Sequence, residues 1–228
     1  MVKTIFFDLD DTLLDFRKAE SDALSRALRQ AGITPTPAIL ERYHVLNIRQ
    51  WELLEEGVLT REQVLLRRFE LLFAELEADC SAREVCDRYE GYLAEGYDLL
   101  PGAEDLLRRL APRYDLYLAT NGSAEVQRSR LQGAGIGPYF TKLFISEEVG
   151  YDKPSPAFFS ACFTAIPDFD PAAALMVGDS LTSDIRGGIN AGIRTCWYDP
   201  HGRPTRPDIM PDYRIADLAE LPPLLEHI

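Results

Sequence analysis

Two short apolar runs that end in aspartates limit the folds open to this chain. Thr4-Ile5-Phe6-Phe7 leads into Asp8-Leu9-Asp10-Asp11-Thr12, and Met176-Val177 leads into Gly178-Asp179-Ser180-Leu181-Thr182-Ser183-Asp184. Each run has strand character and would deliver its acids to a loop. Side chains alternate across a strand, so Asp8 and Asp10 start out on one face. If the two strands are neighbours in a parallel sheet, their carboxylates converge at its C-terminal edge, where open α/β sheets bind ligands. Carboxylates so close cannot all stay ionised unless a cation balances them. Mg²⁺ is a hard ion that prefers oxygen ligands and works with phosphates, so the pair of motifs points to metal-assisted phosphoryl chemistry.

The remaining segments fall into two blocks. Residues 16–96 show helical periodicity and no strand. Leu24, Ala27, Leu28 and Ala31 form one apolar stripe, Leu65, Phe69, Leu72 and Leu76 another, and Val85, Tyr89, Tyr92 and Gly96 a third. A further helix is expected from Pro37, carrying Leu40, Tyr43, Trp51 and Leu54; Gly32, Gly57 and Asp79-Cys80-Ser81 punctuate the set. From Leu99-Leu100-Pro101-Gly102 onward, helix and strand alternate, which predicts a parallel sheet with helices on its faces. Strands are expected at 115–120, 142–145, 174–177, 194–197 and 213–215. Helices are expected near 102–111, 123–134, 155–166, 183–191 and 217–226, and Pro200–Pro211 reads as an exposed loop. The first strand must join this sheet to bury its side chains. The expected fold class is therefore α/β: a Rossmann-like parallel sheet core, residues 1–15 and 97–228, with an inserted all-helical cap domain, residues 16–96.

Charge narrows the partners. The chain carries 24 basic and 37 acidic residues, a formal net charge of −13, which disfavours a nucleic-acid polymer or an anionic membrane. No apolar stretch approaches membrane-spanning length and no secretory leader is evident, so a cytoplasmic location is expected. Cys80, Cys86, Cys162 and Cys196 show no Cys-x-x-Cys pair and read as small buried groups in a reducing compartment. His44, His201 and His227 have no pairing logic for a metal. A monomer or homodimer acting on a small molecule is expected.

Two further elements complete the candidate site. Leu116–Thr120 runs into Asn121-Gly122, a strand end offering a hydroxyl and backbone N–H groups to an anion where a helix begins. Gly150-Tyr151-Asp152-Lys153-Pro154 places in a loop one of only four lysines, the others being Lys3, Lys18 and Lys142. A compact ammonium suits a phosphoryl oxygen. Asp-x-Asp-x-Thr, hydrophobic-Thr-Asn-Gly, Lys-Pro and Gly-Asp-x-x-x-x-Asp, in this order, resemble the haloacid dehalogenase superfamily. Asp8–Phe16, Thr120-Asn121-Gly122 and Gly187–Gly192 resemble more narrowly its pyrimidine 5′-nucleotidase group.

The resemblance implies a Mg²⁺-dependent phosphatase of small phosphate monoesters. Asp8 would be the nucleophile that forms an aspartyl-phosphate, and Asp10 the acid and then the base. Mg²⁺ would bind the Asp8 carboxylate, the Asp10 backbone carbonyl and Asp179, with Asp184 in the outer shell holding metal waters or Lys153. Thr120, Asn121, Gly122 and Lys153 would receive phosphoryl oxygens, and Thr12, grouped with them, would steady the turn holding Asp10. The favoured substrate is a pyrimidine or modified 5′-mononucleotide, read by the cap; a sugar-phosphate or phosphoglycolate phosphatase is the alternative. A metal-independent dehalogenase would need neither Asp10 nor Asp179, and a non-catalytic binding protein would be expected to have lost one of Asp8, Asp10, Lys153 or Asp179. Many superfamily members have glycine where this chain has Asp11; aspartate tolerates positive φ better than most residues, so the catalytic expectation stands.

Overall fold

The computed structural model describes every residue, Met1–Ile228, as two compact units: Met1–Asp15 with Tyr97–Ile228, and Phe16–Gly96. In chain order, β1 (Thr4–Phe7) is followed by α1 (Phe16–Gln30), α2 (Pro37–Glu55), α3 (Arg61–Glu75) and α4 (Ala82–Leu93). Then come α5 (Ala103–Leu110), β2 (Asp115–Thr120), α6 (Ala124–Ala134), β3 (Lys142–Ile145), α7 (Ser146–Val149) and α8 (Pro156–Thr164). The chain ends with β4 (Ala174–Gly178), α9 (Arg186–Ala191), β5 (Arg194–Tyr198), β6 (Tyr213–Ile215) and α10 (Leu221–Leu225).

All six strands form one parallel sheet in the order β3-β2-β1-β4-β5-β6, as the alternation predicts. β1 is buried along its whole length because both of its faces are covered. Ile5 and Phe7 point into a core with Leu116, Leu118, Leu175 and Val177. Phe6 points the other way, to Tyr117, Phe144, Phe158, Phe159 and Met176. Phe7, the end of β1, is level with Leu118 of β2 and Val177 of β4, so the three strands end close together, β4 one residue and β2 two residues beyond β1. The strand order changes direction here, which opens a crevice at the C-terminal edge.

The helical unit is built from the predicted stripes. Thr36, Thr60 and Ser81 cap α2, α3 and α4 through their hydroxyls, and Thr60 and Gln63 form a reciprocal capping box. Tyr43, Phe69 and Tyr89 pack ring against ring with centroids 5.1–5.6 Å apart. Trp51, placed with Tyr43 on one stripe, is only half-buried. The unit also has a polar interior that the stripes do not reveal. Glu20 accepts from Asn47 at 2.8 Å and lies 2.6 Å from His44 Nδ1, while Arg68 donates to Asn47 at 3.0 Å and to Glu90. Glu20, Asn47 and Arg68 are each nearly inaccessible, which the pairing makes tolerable.

Two differences from the sequence expectation arise near the site. The helix expected at 183–191 opens with a wide π-type turn over Leu181–Ile185, in which the Ile185 N–H reaches back to the Ser180 carbonyl at 3.1 Å. Such turns let a helix re-aim one side chain, here Asp184. The loop 200–211 is mostly exposed, but Ile209 is fully buried against Ile185 and Trp197. A lone apolar residue in a proline-rich stretch carries no period that would betray it.

Candidate active site

The nine residues singled out in the sequence all lie in the sheet unit. Asp8 follows β1 directly, its N–H bonded to the Val177 carbonyl at 2.9 Å. Asp179 follows β4, Thr120 ends β2, and Lys153 comes in on the loop after α7. Lys153 is 1% exposed and its ammonium makes three hydrogen bonds: to Asp8 Oδ1 at 2.7 Å, to Asp184 Oδ1 at 2.6 Å and to the Ala119 carbonyl at 2.6 Å. Burial works against its charge, but Asp184 and Asp8 more than offset this and hold the group protonated well above the ordinary lysine value.

The acids are short of positive charge. Asp8, Asp179 and Asp184 place carboxylate oxygens within 4.8 Å of one another; the Lys153 ammonium bonds Asp8 and Asp184, and the Arg203 guanidinium lies 3.5 Å from Asp179. Burial raises the Asp8 carboxyl, Lys153 pulls it back, and Asp184 and Asp10 push it up again, to about 7. Burial, with Asp184 and Asp8 adding to it, lifts Asp179 well above the usual carboxylate range. A cluster of hard oxygen donors that resists full ionisation is a donor set that fits Mg²⁺.

The supporting residues explain why the motif needs its small members. Thr12 is fully buried; its hydroxyl donates to Asp8 Oδ2 at 3.3 Å and accepts from the Asp179 N–H at 3.1 Å, tying the two acidic loops together. A Cβ on Gly178 would lie 2.2 Å from Asp184 Oδ2, so only glycine lets that carboxylate pass behind β4. Asp184 Oδ2 also accepts from the Ser180 N–H at 3.0 Å. Asp11 does take the left-handed conformation, φ 54°, the case in which aspartate is better tolerated than most.

Asn121 acts as a backbone mimic. Its Oδ1 accepts from the Lys153 N–H and its Nδ2 donates to the Lys153 carbonyl, both at 2.9 Å, so β2 holds the lysine loop in place. The Gly122 N–H donates to Ser146 Oγ at 3.3 Å. Thr120 Oγ1 accepts from Gln127 Nε2 at 2.9 Å, so its own hydrogen is kept for another acceptor. Asp10 is bonded by α6: its Oδ2 accepts from Gln127 Nε2 at 2.8 Å and its Oδ1 from Arg130.

Gln127, Arg130, Trp197 and Arg203 escape the sequence motifs. Trp197 Nε1 and Arg203 donate to the Asp179 carbonyl at 2.8 and 2.9 Å, and Asp199 accepts from Arg203 at 2.9 Å. The i, i+3 spacing of Gln127 and Arg130 was the one available signal, and alone it looks like an ordinary solvated helix face.

A family model for haloacid dehalogenase-like hydrolases matches residues 2–192. The chain belongs to the haloacid dehalogenase-like hydrolases. Within that family it is 39% identical over 220 residues to the pyrimidine 5′-nucleotidase PynA of Streptococcus pneumoniae, covering 96% of this chain and 93% of that one. It is 34% identical over 221 residues to the pyrimidine 5′-nucleotidase YjjG of Escherichia coli, covering 97% and 96%. Among solved structures, the HAD-hydrolase YfnB of Bacillus subtilis, bound to magnesium, superposes with a TM-score of 0.95 at 39% identity, covering 100% of this chain and 99% of that one. This haloacid dehalogenase-like hydrolase is a phosphoric monoester hydrolase, a phosphatase of its family. No helix in it is long and apolar enough to cross a membrane.

Proposed function

We propose that this phosphatase is a Mg²⁺-dependent 5′-nucleotidase acting on pyrimidine or modified mononucleotides through a phosphoryl group carried on Asp8. The observation that carries the chemistry is the cluster of Asp8, Asp179 and Asp184 carboxylates at the C-terminal edge of the sheet, with Lys153 bonded to Asp8 and Asp184. Near full-length similarity to two pyrimidine 5′-nucleotidases supports the substrate class.

Asp8, Asp179 and the Asp10 backbone carbonyl would hold Mg²⁺, which when bound supplies charge neutralisation for the phosphoryl oxygens. Lys153 and Thr12 fix the two oxygens of Asp8. Asp8 attacks phosphorus, an Asp8–phosphorus bond forms as the bond to the ester oxygen breaks, and Asp10 gives its proton to the departing alkoxide. Asp10 then takes a proton from water as the water oxygen bonds to phosphorus and Asp8 leaves. The Thr120 hydroxyl and the Asn121 N–H would receive phosphoryl oxygens, with Lys153 compensating their charge. Thr12 we assign to bracing the acidic loops rather than to touching phosphate, because its hydroxyl is spent between Asp8 and Asp179. Asp184 we assign to holding Lys153.

The experiment is phosphate release from pyrimidine and purine 5′-monophosphates, sugar phosphates and phosphoglycolate, with Mg²⁺ and again with EDTA. Metal-dependent turnover that is highest on pyrimidine monophosphates supports the proposal. A preference for sugar phosphates or phosphoglycolate overturns the substrate, and turnover that survives EDTA overturns the metal.

A further inference from the structure

The helix after the Thr120-Asn121-Gly122 corner sends two polar side chains inward rather than out to solvent. Gln127 and Arg130 lie three residues apart on one face of α6 and are 2% and 0% exposed. Burying a guanidinium costs several kcal/mol unless a paired charge offsets it. Its carboxylate here is Asp10: Arg130 Nη1 donates to Asp10 Oδ1 and, at 3.1 Å, to Gln127 Oε1. The same Gln127 presents its amide hydrogens to Asp10 Oδ2 at 2.8 Å and to Thr120 Oγ1 at 2.9 Å. Both oxygens of Asp10 are thus gripped by one helix, and the arginine orients the amide that completes the grip.

The glycine of the corner fits this arrangement. A Cβ on Gly122 would meet the Gln127 side chain at 3.0 Å, so the absence of a side chain there makes room for the glutamine to reach Asp10. Without the grip, the Asp10 side chain, a quarter exposed on the loop beyond β1, would be free to choose among its staggered rotamers.

We propose that Gln127 and Arg130 are positioning residues that aim the Asp10 carboxylate for proton transfer to the leaving oxygen, and that Gln127 ties this aim to the phosphate-side hydroxyl of Thr120. The inference rests on the role proposed above for Asp10. A purely architectural ion pair, docking α6 against the first acidic loop, is the competing account. The two differ in what they do to leaving groups. An alkoxide needs a proton as it departs; a nitrophenolate does not.

The test is kcat/KM on uridine 5′-monophosphate and on 4-nitrophenyl phosphate for the wild type, Arg130→Met and Gln127→Leu, with circular dichroism melts of each; phosphoglycolate replaces the nucleotide if the wild type prefers it. The alkyl ester is expected to lose about a hundredfold while the nitrophenyl ester loses less than about threefold. In an Asp10→Asn background, adding Arg130→Met is expected to leave the ratio of the two substrates unchanged. Equal losses on both substrates, or a ratio that still shifts without Asp10, overturn the positioning role. If Arg130→Met does not fold, Gln127→Leu decides alone, because it leaves the arginine in place. A wild type that hydrolyses neither ester overturns the function proposed for the site, and this inference with it. A wild type that hydrolyses both, with variants that keep its ratio, overturns the inference only.

Discussion

Replacing Lys153 with methionine removes one charge and three hydrogen bonds while keeping most of the side-chain volume. The ammonium lies 2.6–2.7 Å from oxygens of Asp184 and Asp8. At an effective dielectric near 20, each such pair is worth about 6 kcal/mol of gross attraction. Desolvation of the lysine offsets much of that sum, and breaking a buried pair by deleting one partner costs about 3–5 kcal/mol net. For a chain of this size that is a fall in melting temperature of roughly 6–20 °C at pH 8. The loss should shrink in acid. Asp8 in the folded protein sits near 7 against an ordinary 3.8, so the folded chain holds a proton that the unfolded chain releases as pH rises between those values. Stability therefore falls with rising pH across that window, and without Lys153, which pulls it down, Asp8 is pushed further the same way. The destabilisation should be smaller at pH 5 than at pH 8 by about 1–3 kcal/mol. Thermal melts of wild type and Lys153→Met in EDTA at the two pH values measure this directly. An equal loss at both, or a loss below about 1 kcal/mol at pH 8, would refute the view that the lysine balances the acids.

Other perturbations follow from the same geometry. Asp8→Asn should abolish phosphate release while leaving the melting temperature at pH 8 equal to or above the wild type, since it removes a carboxylate from a crowded acidic site; wild-type-like turnover would sink its role as nucleophile. Saturating Mg²⁺ should raise the melting temperature more at pH 8 than at pH 5, because below about 7 the cation must displace the proton on Asp8; an equal rise at both would mean that the ion binds elsewhere. Gly178→Ala places a methyl 2.2 Å from Asp184 Oδ2 and should lower both stability and kcat. An alanine variant with unchanged kcat would show that Asp184 can move without harm.

Much of this arrangement was legible because the chemistry sits at strand ends. A four-residue apolar run followed by Asp8, and a second run followed by Asp179, can meet only in a parallel sheet, and the register of β1 with β4 is that meeting. The strands near 115, 142, 174, 194 and 213 were legible for the same reason, since buried parallel strands are short, apolar and bounded by turns. Side chains whose surroundings come from distant segments were not. Arg130 and Gln127 look like members of a solvated helix face, and their burial depends on Asp10, more than a hundred residues earlier. Asn47, on a helix read only for its apolar stripe, lies inside the helical unit between Glu20 and Arg68. Periodicity reports which face is apolar; it is blind to a polar side chain that finds its partner inside.

The places where the sheet unit gives up the chain and takes it back are side by side. The Asp15 N–H bonds to the Asp98 carbonyl and the Leu100 N–H to the Leu13 carbonyl, both at 2.9 Å. The helical residues 16–96 are thus a closed excursion whose two ends are already stitched together by the sheet unit itself. Closing a loop depends only logarithmically on its length, so doubling such an excursion adds only about 0.6 kcal/mol of entropy loss. Helices can be lengthened, exchanged or redrawn between Asp15 and Tyr97 with little effect on where Asp8, Lys153 and Asp179 stand. A phosphoryl-transfer core stitched in this way is a chassis: what is grafted at the stitch can change while the sheet unit keeps its own geometry.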